Sequence, residues 1–314
     1  MEASEIALVV CTRNRPNYVE RLLSALPELS IHPTIIIFVD SSDNQETENL
    51  IRSASSCLRS RVRYIKSKPG LPLQRNVGVD FLVSQEEFDD VKIVSFTDDD
   101  CLPSKDYFAA VRKSFASLPN CVGVTGIMSP PNFPEVTRLH VIFGLRSRQP
   151  GKILKSGITT SPMASKFPEI VEWMPGGSMN IAREIFDFLR FDSSLRMYGE
   201  DLKMALCMEG FGRIYVDPEA RITHLEAQTG KDPHYKVIVH TDAIRWQLSE
   251  EFPARIKKFD VLLSIFGEIF ICYLNFLRAR FPGRQFDTIR GHVLFLLGIV
   301  FKKDNVQKNS SHAG

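Results

Sequence analysis

The first hundred residues alternate between short, wholly apolar runs and segments with helical spacing, and this alternation limits the fold more than any other feature. The apolar runs cover residues 6–11, 34–39, 62–65 and 91–96, and helices are predicted between them at 15–26, 46–53 and 74–83. Strands that are apolar on both faces must be covered on both faces, as in parallel sheets with crossover helices. The sequence therefore predicts an α/β fold with a mainly parallel, Rossmann-like sheet.

Three of the predicted strands end in polar residues that suit one small ligand. Thr12 and Arg13 follow the first strand, Asp40 ends the second, and the run 98–100 follows the fourth. In sheets of this kind a ligand binds beyond the carboxyl ends of the strands, where these side chains would meet. Asp40 either hydrogen-bonds a base or a ribose, or it caps a turn.

The run at 98–100 consists of Asp98, Asp99 and Asp100. Adjacent carboxylates without a basic neighbour repel one another unless a cation neutralises them. Mg²⁺ or Mn²⁺, bound by one or two carboxylates and a diphosphate, is the usual solution. The alternative is an acidic turn or a helix N-cap. The position of the triplet at the end of a buried strand favours the metal site.

Two further candidates for chemistry lie beyond residue 195. His224 follows an apolar strand and is either a packed or surface histidine or a ligand; opposite Asp100, its imidazole would favour Mn²⁺ over Mg²⁺. Glu200 and Asp201 open a predicted helix. Acidic residues there are either stabilised by the helix dipole or able to deprotonate an acceptor hydroxyl.

Glycines and a basic residue complete the set of candidates. Gly176 and Gly177 permit close approach of the backbone to a ligand, or a tight turn. Arg75 either contacts a diphosphate or a pyrimidine, or faces solvent. A helix is predicted to begin near Ala182, and short strands are predicted at 213–216 and 220–223.

Taken in order, these motifs resemble the family 2 glycosyltransferases, whose fold is called GT-A. The matching segments are Val9–Arg15, Phe38–Asp40, Gly70 with Gln74–Gly78, Phe96–Asp100, Gly176–Asn180, Gly199–Leu202 and His224. The resemblance covers about residues 5–225. It implies a mixed, mainly parallel sheet and an inverting enzyme that moves a sugar from a nucleotide-sugar donor to a hydroxyl acceptor.

The resemblance also implies a role for each candidate position. The residues that would hold the nucleotide, UDP or dTDP, are Thr12, Arg13, Asp40, Arg75 and Asp98. The residues that would ligate Mn²⁺ or Mg²⁺ are Asp100 and His224. The general base would be Asp201, with Glu200 beside it. The residues that would line the donor-sugar and acceptor cleft are Asp99, Gly176 and Gly177. The cation would offset charge on the departing diphosphate.

The chain departs from the family in one motif. Processive members carry Gln-x-x-Arg-Trp, whereas Arg245 and Trp246 here follow Asp242, Ala243 and Ile244. The departure favours addition of a single sugar over polymer synthesis. The expected acceptor is a cell-envelope glycan or a lipid-linked glycan.

The predicted domains are a catalytic domain at 1–225, with a nucleotide-binding half at 1–102 and an acceptor half at 103–225, and a helical extension at 226–314.

Residues 261–277 carry apolar side chains at helical spacing, and several arginines follow them. From residue 245 onwards there are eleven lysines and arginines against six acidic residues. Apolar helices flanked by cations suit an anionic membrane surface. The alternatives are a helical cap on the catalytic domain and a homo-oligomer contact.

Composition excludes several other classes. A net charge of +2 gives no reason to expect a nucleic-acid partner. Six scattered cysteines indicate reduced thiols, and with an acidic N-terminus and no long apolar run they favour a cytoplasmic protein, peripheral on the membrane at most. No G-x-G-x-x-G or P-loop motif supports a dehydrogenase or an NTPase.

Two alternative functions stay open at this stage. A sugar-phosphate nucleotidyltransferase also places acidic metal ligands on a nucleotide-binding sheet, although the turn at residues 12–16 lacks the glycines of a phosphate loop. A non-catalytic protein that binds nucleotide sugars, or a scaffold protein, would carry the same residues without turnover.

Overall fold

The computed structural model of the protein describes residues 5–129, 135–162, 166–195, 198–227, 232–277 and 282–310. Its contacts divide the chain into two compact units. The sheet unit contains residues 1–134, 149–152 and 161–229, and the helical unit contains 135–148, 153–160 and 230–314. The domain limits predicted from sequence, at residues 102 and 225, stay predictions. The helical unit also includes two short segments that precede residue 161.

The amino-terminal half of the sheet follows the predicted alternation of strands and helices. Its elements are β1 (Ile6–Thr12), α1 (Pro16–Ala25), β2 (Ile35–Asp40), α2 (Glu46–Ala54), β3 (Arg61–Lys66), α3 (Leu71–Val83) and β4 (Ile93–Asp98). The four strands are parallel, in the order β3-β2-β1-β4. All residues of β1 and β2 are buried, whereas the edge strand β3 alternates in exposure. The predicted α/β fold is confirmed.

The remaining strands make the sheet mixed. The elements from residue 101 to 224 are β5 (Cys101–Pro103), α4 (Tyr107–Ser117), β6 (Cys121–Ser129), α5 (Arg138–Ile142), β7 (Glu169–Val171), β8 (Met179–Ala182), α6 (Glu200–Cys207) and β9 (Arg213–His224). The sheet continues in the order β4-β8-β6-β9-β5, and β7 pairs with β9. Strand β8 is antiparallel to both of its neighbours, while β6 and β9 are parallel.

The helix predicted to begin near Ala182 is a single 3₁₀ helix of five residues with Ala182 as its N-cap, and the strand before it was not predicted. Ala182 ends strand β8, which inserts between β4 and β6, and a 3₁₀ helix follows at Arg183–Asp187. The side chain of Asn180 donates hydrogen bonds to the Val124 carbonyl and the Tyr107 hydroxyl, both at 2.8 Å. Four residues are too few to show a period, so only the two flanking strands define this segment as β.

The two strands predicted at 213–216 and 220–223 form one strand, β9. Its pairing with β6 shifts where Gly126 faces Asp217 and Ile127 faces Arg221. Pro218 lies inside the skipped stretch and has no N–H to donate to a ladder. The local break in alternation therefore marks an irregularity within one strand and not its end.

The helical unit consists of α5 with three longer helices. These are α7 (His234–Glu251), α8 (Lys258–Leu277) and α9 (Pro282–Ser310). Helix α8 buries Val261 and Ile265, and a Cβ at Gly267 would lie 2.3 Å from the Phe143 ring, so α5 and α8 are in close contact. By length and composition alone, α8 could cross a membrane.

A buried ionic network holds the helical unit together. Asp242 pairs with Arg245, and its other carboxylate oxygen lies 2.6 Å from Nδ1 of His292. Nε2 of His292 lies 3.3 Å from Glu268, and Arg245 donates to the Ser264 hydroxyl at 2.8 Å. Burial opposes the charged imidazole, but hydrogen bonds to Asp242 and Glu268 raise the pKa of His292 to about 9.

Replacement of Asp242 by alanine is expected to destabilise the helical unit by about 3–5 kcal/mol, because it leaves Arg245 and His292 buried without their shared carboxylate. Urea unfolding followed by circular dichroism measures the change. The control is Glu250→Ala, which removes a half-exposed pair with Lys258 and should cost less than about 1 kcal/mol. Equal shifts for the two variants would contradict the role given to the network.

Candidate active site

Three parallel strands bring the predicted polar residues to one edge of the sheet. Strand β1 lies between β2 and β4, with Thr12 opposite Asp40 and Cys11 opposite Asp98. The carboxyl ends of the strands therefore meet, as the sequence predicted. The acidic triplet turns the chain between β4 and β5, so its three side chains point to different partners.

Asp40 is fully buried and held by donors of the protein. It accepts hydrogen bonds from the Ser42 N–H at 2.8 Å and the Ser42 hydroxyl at 2.5 Å. The Tyr64 hydroxyl donates to its second oxygen at 2.9 Å. Arg13, in contrast, is half exposed and lies 3.8 Å from Asp43. Asp40 thus forms part of the buried base of the site, while Arg13 lies on the exposed loop that follows β1.

Asp99 faces the end of β1. The Thr12 hydroxyl donates to one of its oxygens at 2.7 Å, and Arg15 lies 3.0 Å from the other. Burial raises the pKa of Asp99 to about 6, although both partners oppose the shift. The structure places this carboxylate between Thr12 and Arg15, and its predicted position in the sugar and acceptor cleft stays a prediction.

Arg75 connects the end of β4 with the start of α6. Its guanidinium is 1% exposed, lies 2.8 Å from Glu200 and 3.5 Å from Asp98, and faces the rings of Phe96 and Phe191. Burial raises the pKa of Asp98, and Arg75 opposes the shift. Both ends of the guanidinium thus face carboxylates, and its predicted contact with the nucleotide stays a prediction.

Gly176 and Gly177 pass through the middle of this cluster in a short 3₁₀ turn. A Cβ at Gly176 would lie 2.4 Å from Nη2 of Arg75. A Cβ at Gly177 would lie 2.8 Å from Sγ of Cys101 and 3.2 Å from a carboxylate oxygen of Asp98. Glycine is needed at both positions because the backbone approaches the Arg75 guanidinium and the Cys101 thiol too closely for a larger residue.

Asp201 lies in the first turn of α6, after Gly199 in the left-handed conformation. Its carboxylate accepts hydrogen bonds from the N–H groups of Leu202 and Gly176. Burial, together with the charge of Glu200, raises the pKa of Asp201 to about 7. Such a carboxyl group can exchange a proton near neutral pH, which is what a general base requires.

Glu200 is buried and uses one carboxylate oxygen for Arg75. Its second oxygen, Oε2, has no hydrogen-bond partner among the described residues. A buried acceptor of this kind costs free energy unless a ligand supplies the missing donor. Glu200 is therefore placed beside Asp201 with one oxygen available to a donor group.

Asp100 faces His224 because β5 and β9 pair with Cys101 opposite His224. Oδ2 of Asp100 lies 3.4 Å from Nε2 of His224 and accepts a hydrogen bond from the Ala227 N–H at 2.8 Å. Burial opposes ionisation of Asp100, but these two hydrogen bonds lower its pKa. The hydrogen bond to Asp100 raises the pKa of His224.

The residues at this point fit a divalent cation. Among the described residues, Asp100, Cys101 and His224 form a group whose potential ligand atoms all lie within 4.8 Å of one another. Burial raises the pKa of Cys101 well above its ordinary value, so the thiol keeps its proton and is a poor ligand. A carboxylate and an imidazole remain, a donor set that suits Mn²⁺, with other positions left to a diphosphate or water.

The sequence missed several contacts of the site. Arg15 was seen only as part of a motif, yet it holds Asp99, and Tyr64 was not singled out although it binds Asp40. The β2–β3 register places Lys66 opposite Asp40, and Tyr64 lies two residues earlier on the same face of the sheet. The Ala227 N–H is a main-chain group, for which the sequence carries no signal.

With this geometry in view, the chain matches the family model Glycosyl transferase family 2 over residues 7–167. The protein therefore belongs to glycosyltransferase family 2, and its fold is the GT-A fold. A search of curated proteins found no match to the chain.

Solved structures resemble the protein in fold. The mannosyltransferase PcManGT from Pyrobaculum calidifontis, in complex with GDP-Man and Mn²⁺, has a TM-score of 0.59 at 15% identity, covering 93% of this chain and 87% of that one. Glucosyl-3-phosphoglycerate synthase from Mycobacterium tuberculosis, with Mn²⁺, UDP and phosphoglyceric acid, has a TM-score of 0.51 at 16% identity, covering 78% and 77%. GalNAc-T7 with UDP, GalNAc and Mn²⁺ has a TM-score of 0.54 at 14% identity, covering 76% of this chain but only 47% of GalNAc-T7.

Replacement of Asp100 by alanine is expected to weaken Mn²⁺ binding in the presence of UDP by at least about tenfold, because a carboxylate ligand is lost. Electron paramagnetic resonance of unbound Mn²⁺ measures the affinity without any turnover. The matched control is Asp106→Ala, an exposed carboxylate whose side chain does not cap α4. Wild-type affinity in the Asp100 variant would rule out this metal site.

Proposed function

We propose that the protein transfers a single sugar from a UDP- or dTDP-sugar to a hydroxyl group, with inversion at the anomeric carbon. The proposal is supported by one continuous line of contacts within the sheet unit. It runs from His224 through Asp100 and the Cys101 thiol to the turn at Gly177, then from Asp98 through Arg75 to Glu200. Asp201 joins it through the Gly176 N–H.

In this proposal the donor lies across the carboxyl ends of β1, β2 and β4. Thr12, Arg13, Asp40 and Asp98 surround the nucleoside, and the half-buried Arg15 faces the diphosphate. Mn²⁺ or Mg²⁺, held by Asp100 and His224, would offset the negative charge of the departing diphosphate. The family and the Mn²⁺ complexes of the similar folds support a divalent cation here.

Asp201 acts on the acceptor. Its carboxylate takes the proton of the acceptor hydroxyl while that oxygen forms the new bond to the anomeric carbon. The bond from this carbon to the diphosphate oxygen breaks on the opposite face, so the configuration inverts. Arg75 holds Glu200 and Asp98 in place, and Oε2 of Glu200 accepts a hydrogen bond from a sugar hydroxyl.

The acceptor in this proposal is a cell-envelope glycan or a lipid-linked glycan that receives one sugar. The packing of Arg245 and Trp246, the residues shared with the processive motif, supports the addition of one sugar. Arg245 is buried against Asp242 and Ser264, and Trp246 packs edge-on against Phe295. Both side chains are thus used within the helical unit.

Release of nucleoside diphosphate from a panel of donors, with and without Mn²⁺, tests the function. We expect Mn²⁺-dependent release of UDP or dTDP, and we expect Asp201→Asn to keep donor binding within about twofold while lowering kcat at least about a hundredfold. Asp192→Asn, which changes a carboxylate bonded to Lys203, is the matched control. Pyrophosphate release in a parallel assay with a nucleoside triphosphate and a sugar 1-phosphate would instead indicate a nucleotidyltransferase, and donor binding without turnover would indicate a non-catalytic protein.

The pH dependence of kcat tests the base separately. The pKa of Asp201 is raised to about 7, so kcat should fall as pH is lowered through that value, because the base becomes protonated. Mn²⁺ binding is measured over the same range, since His224 must lose its proton to bind metal. A kcat that stays constant from pH 5.5 to 8 at saturating Mn²⁺ would contradict the assignment of Asp201.

A further inference from the structure

Helix α8 exposes a row of large apolar side chains along one face. Phe266, Phe270, Tyr273 and Leu277 follow one another at intervals of four, three and four residues, which is the spacing of a single helical face. They are 57%, 44%, 54% and 62% exposed. A face of this length is unusual on a helix that borders water.

The opposite face of α8 carries the polar contacts. The Ser264 hydroxyl accepts a hydrogen bond from Arg245, and Glu268, the one acidic residue between 261 and 277, faces His292. Ionic groups are thus turned inward and aromatic groups outward. Helices in contact with lipid distribute their residues in this way, because charged groups are stable there only when paired inside the bundle.

Helix α9 continues the same pattern. Phe286, Val293, Leu294 and Leu297 are 67%, 42%, 43% and 46% exposed. Arg290 is exposed on the same helix, and its guanidinium lies 4.1 Å from the centroid of the Tyr235 ring. An amphipathic surface with arginine among apolar groups suits the boundary between lipid headgroups and acyl chains.

Charge indicates which lipids this surface fits. Lys257 and Lys258 are exposed at the start of α8, where Lys258 also pairs with Glu250, and Arg284 is exposed near the start of α9. Each basic residue near an anionic surface strengthens binding, whereas a neutral surface offers no such attraction.

We propose that these faces of α8 and α9 bind the surface of an anionic lipid bilayer, with Phe266, Tyr273 and Leu277 inserting between the headgroups and the ends of the acyl chains nearest to them. Helix α8 lies in the plane of the interface, because its other face is committed to the helical unit. Val261 and Ile265 on that face are 0% exposed. The surface is independent of the sugar-transfer chemistry and binds without substrate.

Sedimentation of the full chain with vesicles tests this surface. Vesicles of phosphatidylglycerol and phosphatidylcholine should bind the protein, and vesicles of phosphatidylcholine alone should bind it at least about tenfold more weakly. The combined variant Phe266→Ser, Tyr273→Ser, Leu277→Ser should lose at least about tenfold in binding to the anionic vesicles, because three insertable side chains are gone. Its thermal unfolding should match wild type, since the three side chains are exposed.

The matched control replaces Phe167, Ile170 and Phe188 by serine. These side chains are 74%, 55% and 74% exposed but lie in the sheet unit, so vesicle binding should not change. Equal loss in both variants would overturn the proposal, as would absence of binding by wild type. A wild-type dimer that the α8 variant converts to a monomer, with no vesicle binding by either, would assign the face to a second copy of the chain.

Discussion

The guanidinium of Arg75, buried between Asp98 and Glu200, is the contact on which the rest of the site depends. It joins residues that are far apart in sequence and come from β4, α3 and α6. Removing it would leave Glu200 buried, and Asp98 partly buried, without a counter-charge, and an unpaired buried charge costs several kcal/mol in comparable sites. The same contact explains Gly176, because any side chain there would displace the guanidinium. Asp201, bonded to the Gly176 N–H, is positioned through this arrangement.

The secondary structure was predictable wherever a segment showed a clear hydrophobic pattern within its own residues. Strands β1, β2 and β4 are continuous apolar runs, and a buried parallel strand needs that pattern whatever surrounds it. Strand β8 was missed because four residues show no period and only β4 and β6 define its conformation. Strand β9 was divided at Pro218 because the break in alternation resembles the end of a strand.

The site was predictable as a set of residues but not as a set of contacts. Strand ends placed the acidic triplet at the ligand edge, and the structure agrees. The partner of each carboxylate could not be predicted from the sequence. After the turn that follows β4, Asp98 contacts Arg75, Asp99 contacts Thr12 and Asp100 contacts His224. A cation is therefore not the only group that relieves the repulsion within the triplet. Arginine and hydroxyl partners far along the chain share that role.

The antiparallel pairing of β5 with β9 sets the separation between the two candidate metal ligands. Cys101 lies opposite His224, and Leu225 donates its N–H to the Asp100 carbonyl. These are main-chain bonds, so the distance between positions 100 and 224 does not depend on which side chains occupy them. Natural selection could therefore exchange the imidazole for a carboxylate or an amide at little structural cost. Metal preference in such a scaffold can evolve at one position while the rest of the sheet stays unchanged.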